Sequence, residues 1–246
     1  MDRKQFLNKS LSGFGLMAIS PMLLACSKDT VDTSGTSAAT SATGSTNGSS
    51  ASDCVVTPSE TEGPFPTRKP ATLAIQNIKS DRTGTPMMAN ITIKNKNTSC
   101  AALKGATVDI WHCDADGSYS EYGGSGMQSI NYTAVSFLRG RQSTDANGLV
   151  SFETIFPGWY SGRAVHIHVH IYDASGKSLL VTQIAFPPAI CDTVFTTVTS
   201  IYKKGKADTT NERDNVFSDG FTTELGTIAG NTKDGIILNH TIVVSA

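Results

Sequence analysis

Charge is scarce in this chain: only 17% of its 246 residues are charged, and the net charge is -1. No stripe of lysine and arginine stands out, which speaks against nucleic acid as a partner. No apolar run is long enough to cross a bilayer as a helix, because the run 11–25 falls short of the ~20 residues required. The five cysteines include no C-x-x-C pair, which argues against a zinc cluster. Long helical periodicity is scarce as well, and no internal repeat is apparent. Glycine is plentiful at 22 residues, and apolar side chains make up 39%. Together they point to a packed core built from strands joined by many turns.

The first 26 residues read as an address and not as fold. Arg3, Lys4 and Lys9 form a positive start, and an apolar stretch follows. Its end, Leu23-Leu24-Ala25-Cys26, resembles a bacterial lipobox, in which the cysteine is lipidated and becomes the new N-terminus. An ordinary secretory signal that happens to end in cysteine is the alternative. The stretch from Arg3 to Lys9 is also similar to a twin-arginine export signal, with Lys4 in place of the second arginine. Residues 27–52 are almost wholly Ser, Thr, Gly, Ala, Asp and Asn. They cannot bury enough apolar surface to offset chain entropy, so a flexible tether is expected. Residues 53–246 have globular composition and the size of one domain. The reading is a protein exported and lipid-anchored at Cys26 in a bacterial cell envelope. Four cysteines remain: Cys54, Cys100, Cys113 and Cys191. In an oxidising compartment an even count favours two disulfides. The favoured pairs are Cys100–Cys113 and Cys54–Cys191, with buried free thiols as the alternative.

Apolar and polar residues alternate over 89–95, 106–113, 148–155, 164–172, 179–186 and 236–244, the pattern of half-buried strands. A short helix is expected within 193–204. The fold class is therefore all-β: a β-sandwich of mainly antiparallel strands with long loops and few short helices.

The chemistry gathers in the segment Arg163-Ala164-Val165-His166-Ile167-His168-Val169-His170-Ile171-Tyr172. In a strand, alternate residues share a face, so His166, His168, His170 and Tyr172 point one way and the aliphatic residues the other. Two imidazoles spaced by two residues can converge on one metal. His170 lies too far along to join both easily, and is expected to support the site or simply to pack. Upstream, Tyr160 follows the turn Phe156-Pro157-Gly158-Trp159, and Tyr119 follows the turn after Asp114-Ala115-Asp116-Gly117-Ser118. Phenolate is a hard anionic oxygen donor, and two phenolates with two imidazoles suit Fe(III) better than zinc or copper.

At these residues the chain resembles the intradiol ring-cleavage dioxygenases, the catechol and protocatechuate group. The pieces that carry the resemblance run in the family's order. They are Thr57-Pro58-Ser59-Glu60-Thr61-Glu62-Gly63-Pro64-Phe65; Gly105-Ala106-Thr107-Val108-Asp109-Ile110-Trp111 leading to Gly117-Ser118-Tyr119; Leu138-Arg139-Gly140-Arg141-Gln142-Ser143-Thr144-Asp145; Thr154-Ile155-Phe156-Pro157-Gly158-Trp159-Tyr160; and Gly162-Arg163-Ala164-Val165-His166-Ile167-His168. The resemblance implies a non-haem Fe(III) held by Tyr119, Tyr160, His166 and His168, with Tyr160 and His168 axial. It implies that Arg163 and Gln183 stand beside the reacting ring, and that Gly63, Pro64 and Trp159 line the substrate mouth. Catechol would lose two protons, partly to the departing phenolate of Tyr160, and O2 would attack the activated ring. Arg163 would steady the shifting charge, and a muconate-type dicarboxylic acid would leave. No organic cofactor is needed; the partners are a catechol-type small molecule and O2. Only Ser161 and Gly162 separate Tyr160 from Arg163, shorter than in protocatechuate enzymes. That matches the exported branch and implies an open site with broad substrates. No helical N-terminal dimerisation domain like that of the cytoplasmic catechol branch is expected, because that stretch reads as signal and tether. Two rivals remain: a zinc hydrolase on His166, His168 and His170, and a transthyretin-like surface binding module without catalysis.

Overall fold

Alternating apolar side chains decide which segments become strands and which face of each is buried. The computed structural model of the chain describes residues 54–124 and 126–246. The expected signal, lipobox and tether at 1–52 lie outside the described residues. Among the described residues nine strands occur in chain order: β1 (Pro86–Asn95), β2 (Ala101–Ala102), β3 (Thr107–Trp111), β4 (Arg139–Ser143), β5 (Leu149–Ile155), β6 (His166–Tyr172), β7 (Ser178–Ala185), β8 (Thr227–Asn231) and β9 (Gly235–Val244). The α-helix of the described residues, α1 (Pro188–Thr197), follows β7.

The strands form two sheets. The first runs β2-β1-β9-β8, with β5 paired to the same edge of β1 as β2. Its β1–β9 pair is parallel and the others are antiparallel. The second runs β4-β3-β6-β7 and is antiparallel throughout. Met87, Ala89, Ile91 and Ile93 of β1 and Ile236, Leu238 and Ile242 of β9 face Val108 and Ile110 of β3 and Ile167, Val169 and Ile171 of β6 across one core. Each such side chain, once fully buried, stabilises the fold by roughly 1.5–3 kcal/mol. The architecture is the expected all-β sandwich. The six expected strands are present with ends shifted by a few residues. β2, β4 and β8 were not anticipated, because Arg-Gly-Arg-Gln-Ser in β4 and the mostly exposed β8 carry no apolar alternation.

The helix begins earlier than expected. Pro188 stands at its first position, where a fixed φ suits a helix start, and Cys191, Val194 and Phe195 turn inward. The segment 57–61 then ties the two sheets together along their edges. The N–H of Thr57 donates to Val243 of β9, and that of Glu60 donates to Val181 of β7.

The cysteine pairing differs from expectation. Cys54 is bonded to Cys100, with Cα atoms 5.8 Å apart, while Cys113 and Cys191 are buried free thiols. The extended run of β3 lies between Cys100 and Cys113 and holds them apart, since each strand residue adds about 3.3 Å. Cys191 is absorbed by the main core on α1, and Cys113 packs with Trp111 and Tyr119. The bridge instead anchors the start of the described chain to the β1–β2 connection.

Candidate active site

β6 carries both faces of the story: Ile167, Val169 and Ile171 point into the core, and His166 and His168 point out of it. Register places Trp111 of β3 and Gln183 of β7 on either side of His168. The Trp111 indole stacks on the His168 ring at 4.9 Å with the planes 3° apart. The Nδ1 of His166 lies 2.6 Å from the carbonyl oxygen of Ala164. A carbonyl can only accept, so Nδ1 carries the hydrogen and Nε2 presents a bare lone pair. That Nε2 faces the Nε2 of His168 at 3.1 Å and the Tyr119 hydroxyl at 3.3 Å. Burial pushes His166 down to about 3, and His168 also falls well below the usual histidine range through burial and the neighbouring His166.

Tyr119 arrives through a turn that demands glycine. Gly117 has φ +85°, and a Cβ there would meet the Trp159 carbonyl oxygen at 2.1 Å. The ring of Tyr119 is fully buried and stacks on Phe65 at 4.8 Å. Its backbone is gripped by Gln128, which accepts from the Tyr119 N–H at 2.6 Å and donates to its carbonyl at 2.8 Å. Burial drives its phenol well above the ordinary value. Tyr160 is only half buried. Its ring stands edge-on to Tyr119 and to His166, each with centroids 5.8 Å apart. Burial raises its phenol too, although Arg163 pulls the other way.

Arg163 donates to three side chains: Nε to Asp214 at 2.9 and 3.0 Å, Nη1 to the Tyr160 hydroxyl at 3.2 Å, and Nη2 to Gln183. Gln183 is wholly buried and donates its amide N–H to the Thr61 carbonyl at 2.9 Å. Gly63 presses on His168: at φ +67° it leaves only 3.1 Å between an added Cβ and the ring carbon Cε1. Pro64 is exposed beside it. The structure thus brings together Tyr119, Tyr160, His166, His168, Arg163 and Gln183, with Gly63 against them. Trp159 sits differently. Its indole donates to the Gly205 carbonyl, lies under Lys204 at 3.9 Å, and packs against the main core. His170 also turns elsewhere. Its ring contacts Glu62 at 3.1 Å, Ser178 at 2.8 Å and the Tyr172 hydroxyl at 2.9 Å. A three-histidine metal site therefore finds no support, and among the described residues no group of three His, Cys, Asp or Glu side chains could hold an ion.

The donor set suits a cation. Two neutral imidazoles aim nitrogen atoms at each other, and two phenols stand beside them where burial opposes ionisation. A multivalent cation reverses that opposition and gives both nitrogen lone pairs a partner, which is how a bound metal inverts local proton affinities. Hard oxygen with borderline nitrogen fits Fe(III). Sequence reasoning had not assigned roles to Asp214, Gln128, Phe65 or Trp111. Trp111 and Phe65 stood inside recognised motifs, but Asp214 lies 51 residues beyond its partner Arg163 with no local signal.

Comparison with known proteins bears on the same residues. The profile of a family described as Dioxygenase matches residues 62–216. A chlorocatechol 1,2-dioxygenase of Rhodococcus opacus is 31% identical over 159 residues, which cover 56% of this chain and 57% of that protein. The match thus spans a little over half of that relative's length. The solved intradiol ring-cleavage dioxygenase from Tetranychus urticae superposes with a TM-score of 0.69 at 29% identity, covering 78% of this chain and 95% of its own. The dioxygenase domain of a dioxygenase carbohydrate-binding protein fusion from Streptomyces sp. SirexAA-E shares the fold, with a TM-score of 0.57 at 24% identity over 78% of this chain and 99% of its own. With the profile spanning the stretch that carries Tyr119, Tyr160, Arg163, His166 and His168, the chain belongs to the intradiol ring-cleavage dioxygenases, a family of oxidoreductases.

Proposed function

We propose that the chain is a non-haem Fe(III) intradiol dioxygenase that opens catechol-type rings with O2 to give muconate-type dicarboxylic acids. The observation that carries this reading is the meeting of four rings, Tyr119, Tyr160, His166 and His168, in one partly sealed cluster. These four side chains would hold the metal. Bound there, Fe(III) would supply Lewis acidity that favours the doubly deprotonated catechol.

The chain's own residues account for the rest. Tyr119 is locked by Phe65 and Gln128, so it serves as an anchor. Tyr160 is the less buried phenol and reaches the guanidinium of Arg163, which favours its ionised form; as the phenolate that the metal would hold, its oxygen is the one placed to take a substrate proton. Arg163 and the amide of Gln183 form a fixed polar wall beside that oxygen, placed to stabilise charge as it moves into the ring carbonyl. Trp111 covers one face of the His168 ring, and Phe65 packs on Tyr119 and Tyr160. Gly63 and Pro64 line the way in: a side chain at 63 would crowd His168, and Pro64 is open to solvent. Ser161 and Gly162 are exposed, so little covers the entrance, and catechols with bulky substituents fit an opening of this kind. Export and lipid anchoring at Cys26 complete the proposal, on the strength of the Leu-Leu-Ala-Cys segment and the polar tether after it.

The decisive experiment measures O2 uptake by the purified, iron-loaded protein over a panel of catechols, with iron content and product identity determined in parallel. Ring-opened dicarboxylate formed with one O2 per catechol supports the reading. Absence of O2 uptake with all of them removes it.

A further inference from the structure

Asp214 belongs to none of the recognised motifs, yet it is the most heavily engaged carboxylate near the cluster. Its side chain is completely buried. Both of its oxygens accept from Nε of Arg163, Oδ2 also accepts from the backbone N–H of Ala164 at 2.8 Å, and Oδ1 accepts from that of Val216 at 3.0 Å. The remaining nitrogens of Arg163 go to the Tyr160 hydroxyl and to Gln183. Of the three partners of the guanidinium, only Asp214 is charged. Ala164 matters for a second reason: its carbonyl accepts from Nδ1 of His166 and so fixes which ring nitrogen faces the cluster. The same stretch of chain steadies the preceding loop, since Asp208 accepts from the Ser161 hydroxyl at 2.6 Å and from the Gly162 N–H at 3.2 Å.

We propose that Asp214 is a positioning residue for the dioxygenase reaction, which aims Arg163 at the Tyr160 hydroxyl and offsets its charge. This rests on the dioxygenase reading above. Arginine has a long flexible stem, and without Nε held the guanidinium loses its single orientation. Misplacement by about 1 Å can cost on the order of 10²-fold in rate. The offset has its own effect. An unpaired arginine attracts an anionic substrate as strongly before reaction as during it, which tightens binding without speeding turnover. Asp214 therefore raises kcat through Arg163 and does nothing to tighten substrate binding.

The test compares wild type, Asp214→Asn, Arg163→Leu and the double variant, each as full-length iron-loaded protein. Three quantities are read: O2 uptake per bound iron, the visible absorption band of the iron-loaded protein, and the affinity for catechol without O2 followed through that band. Asp214→Asn is expected to keep the band, to bind catechol as well as or better than wild type, and to lose about 10- to 100-fold in kcat per iron. In the Arg163→Leu background the same change should alter kcat per iron by less than about 3-fold, because the residue it acts through is already gone. Normal kcat in Asp214→Asn overturns the proposal, as does a further tenfold loss in the double variant. If Asp214→Asn does not fold, the pair Arg163→Leu and double variant decides, since it leaves no uncompensated buried charge in the double variant. Wild type that consumes no O2 on any catechol removes the dioxygenase reading and this proposal with it. An active wild type with an unaffected Asp214→Asn removes the proposal alone.

Discussion

His168 and His170 stand two residues apart on the same face of the same strand, and they live in different worlds. His168 is almost entirely buried, pressed between Trp111 and Gly63, with its basicity suppressed. His170 is partly open, stacked on Tyr172 at 4.0 Å and tied to Glu62 and Ser178. Spacing along a strand supplies a shared direction and nothing more. What separates a candidate ligand from a surface histidine is what the neighbouring strands and loops bring against it, and here the segment around Gly63 covers one ring and leaves the other at the rim.

The largest expected effect breaks the sealed end of this comparison. His166→Ala, His168→Ala or Tyr119→Phe should lose most of the bound iron and the colour that accompanies phenolate ligation, with activity falling to background. His170→Ala should keep iron near the wild-type level. Iron assay and visible absorption on the four proteins check this, and full iron in both His166→Ala and His168→Ala would sink the ligand assignment.

Tyr160→Phe probes the half-buried phenol against the locked one. It should retain much of its iron through Tyr119, His166 and His168 while kcat falls by about 10²- to 10⁴-fold, the usual range for a lost general base. Steady-state O2 consumption normalised to iron measures it.

The sealed histidines also predict an acid limit. His112 and His240 are buried outside the four-ring cluster, and burial lowers each to about 4. Both are neutral in the fold, and protonation favours the unfolded chain. Their stabilising effect is complete above the unfolded value near 6.5 and is lost as pH falls through that value towards 4, by on the order of 3 kcal/mol for each. Glu60 and Glu224, raised by burial to about 7 and about 8, act in the opposite sense over the same range, so the readout is the comparison of variants. Between pH 7.5 and pH 4.5 the denaturant midpoint of His112→Asn should fall less than that of wild type, and an identical change in both proteins would contradict the assignment.

The smallest effect lies at the cover. Gly63→Ala forces a side chain against His168 and holds a left-handed φ, so thermal stability should drop by about 1 kcal/mol, with catechol affinity changed less than several-fold. Unchanged melting and unchanged KM together would show that the 60–65 segment is free to move away from the ring.

Much of the site was legible before the fold. The alternation in 164–172 set the two faces of β6, and the turns before Tyr119 and Tyr160 marked where a phenol could be presented. Local pattern suffices there because strand periodicity and turn chemistry act over a few residues. The disulfide was misassigned for the complementary reason: pairing depends on distances that the intervening strand β3 dictates, and Cys54–Cys100 closes across 46 residues that no short pattern connects.

The amino-acid sequence by itself determined the strand-rich class, the split between apolar and imidazole faces of β6, and the chemistry of the donor set, because each depends on residue type and short-range spacing. Tertiary structure alone decided that His168 faces Trp111 and Gln183 across β3 and β7, that His170 is left to Glu62 and Ser178, and that Asp214 reaches back to hold Arg163. Most of those contacts join residues about fifty or more positions apart, and only the packing of one core with its register of neighbouring strands brings such residues together.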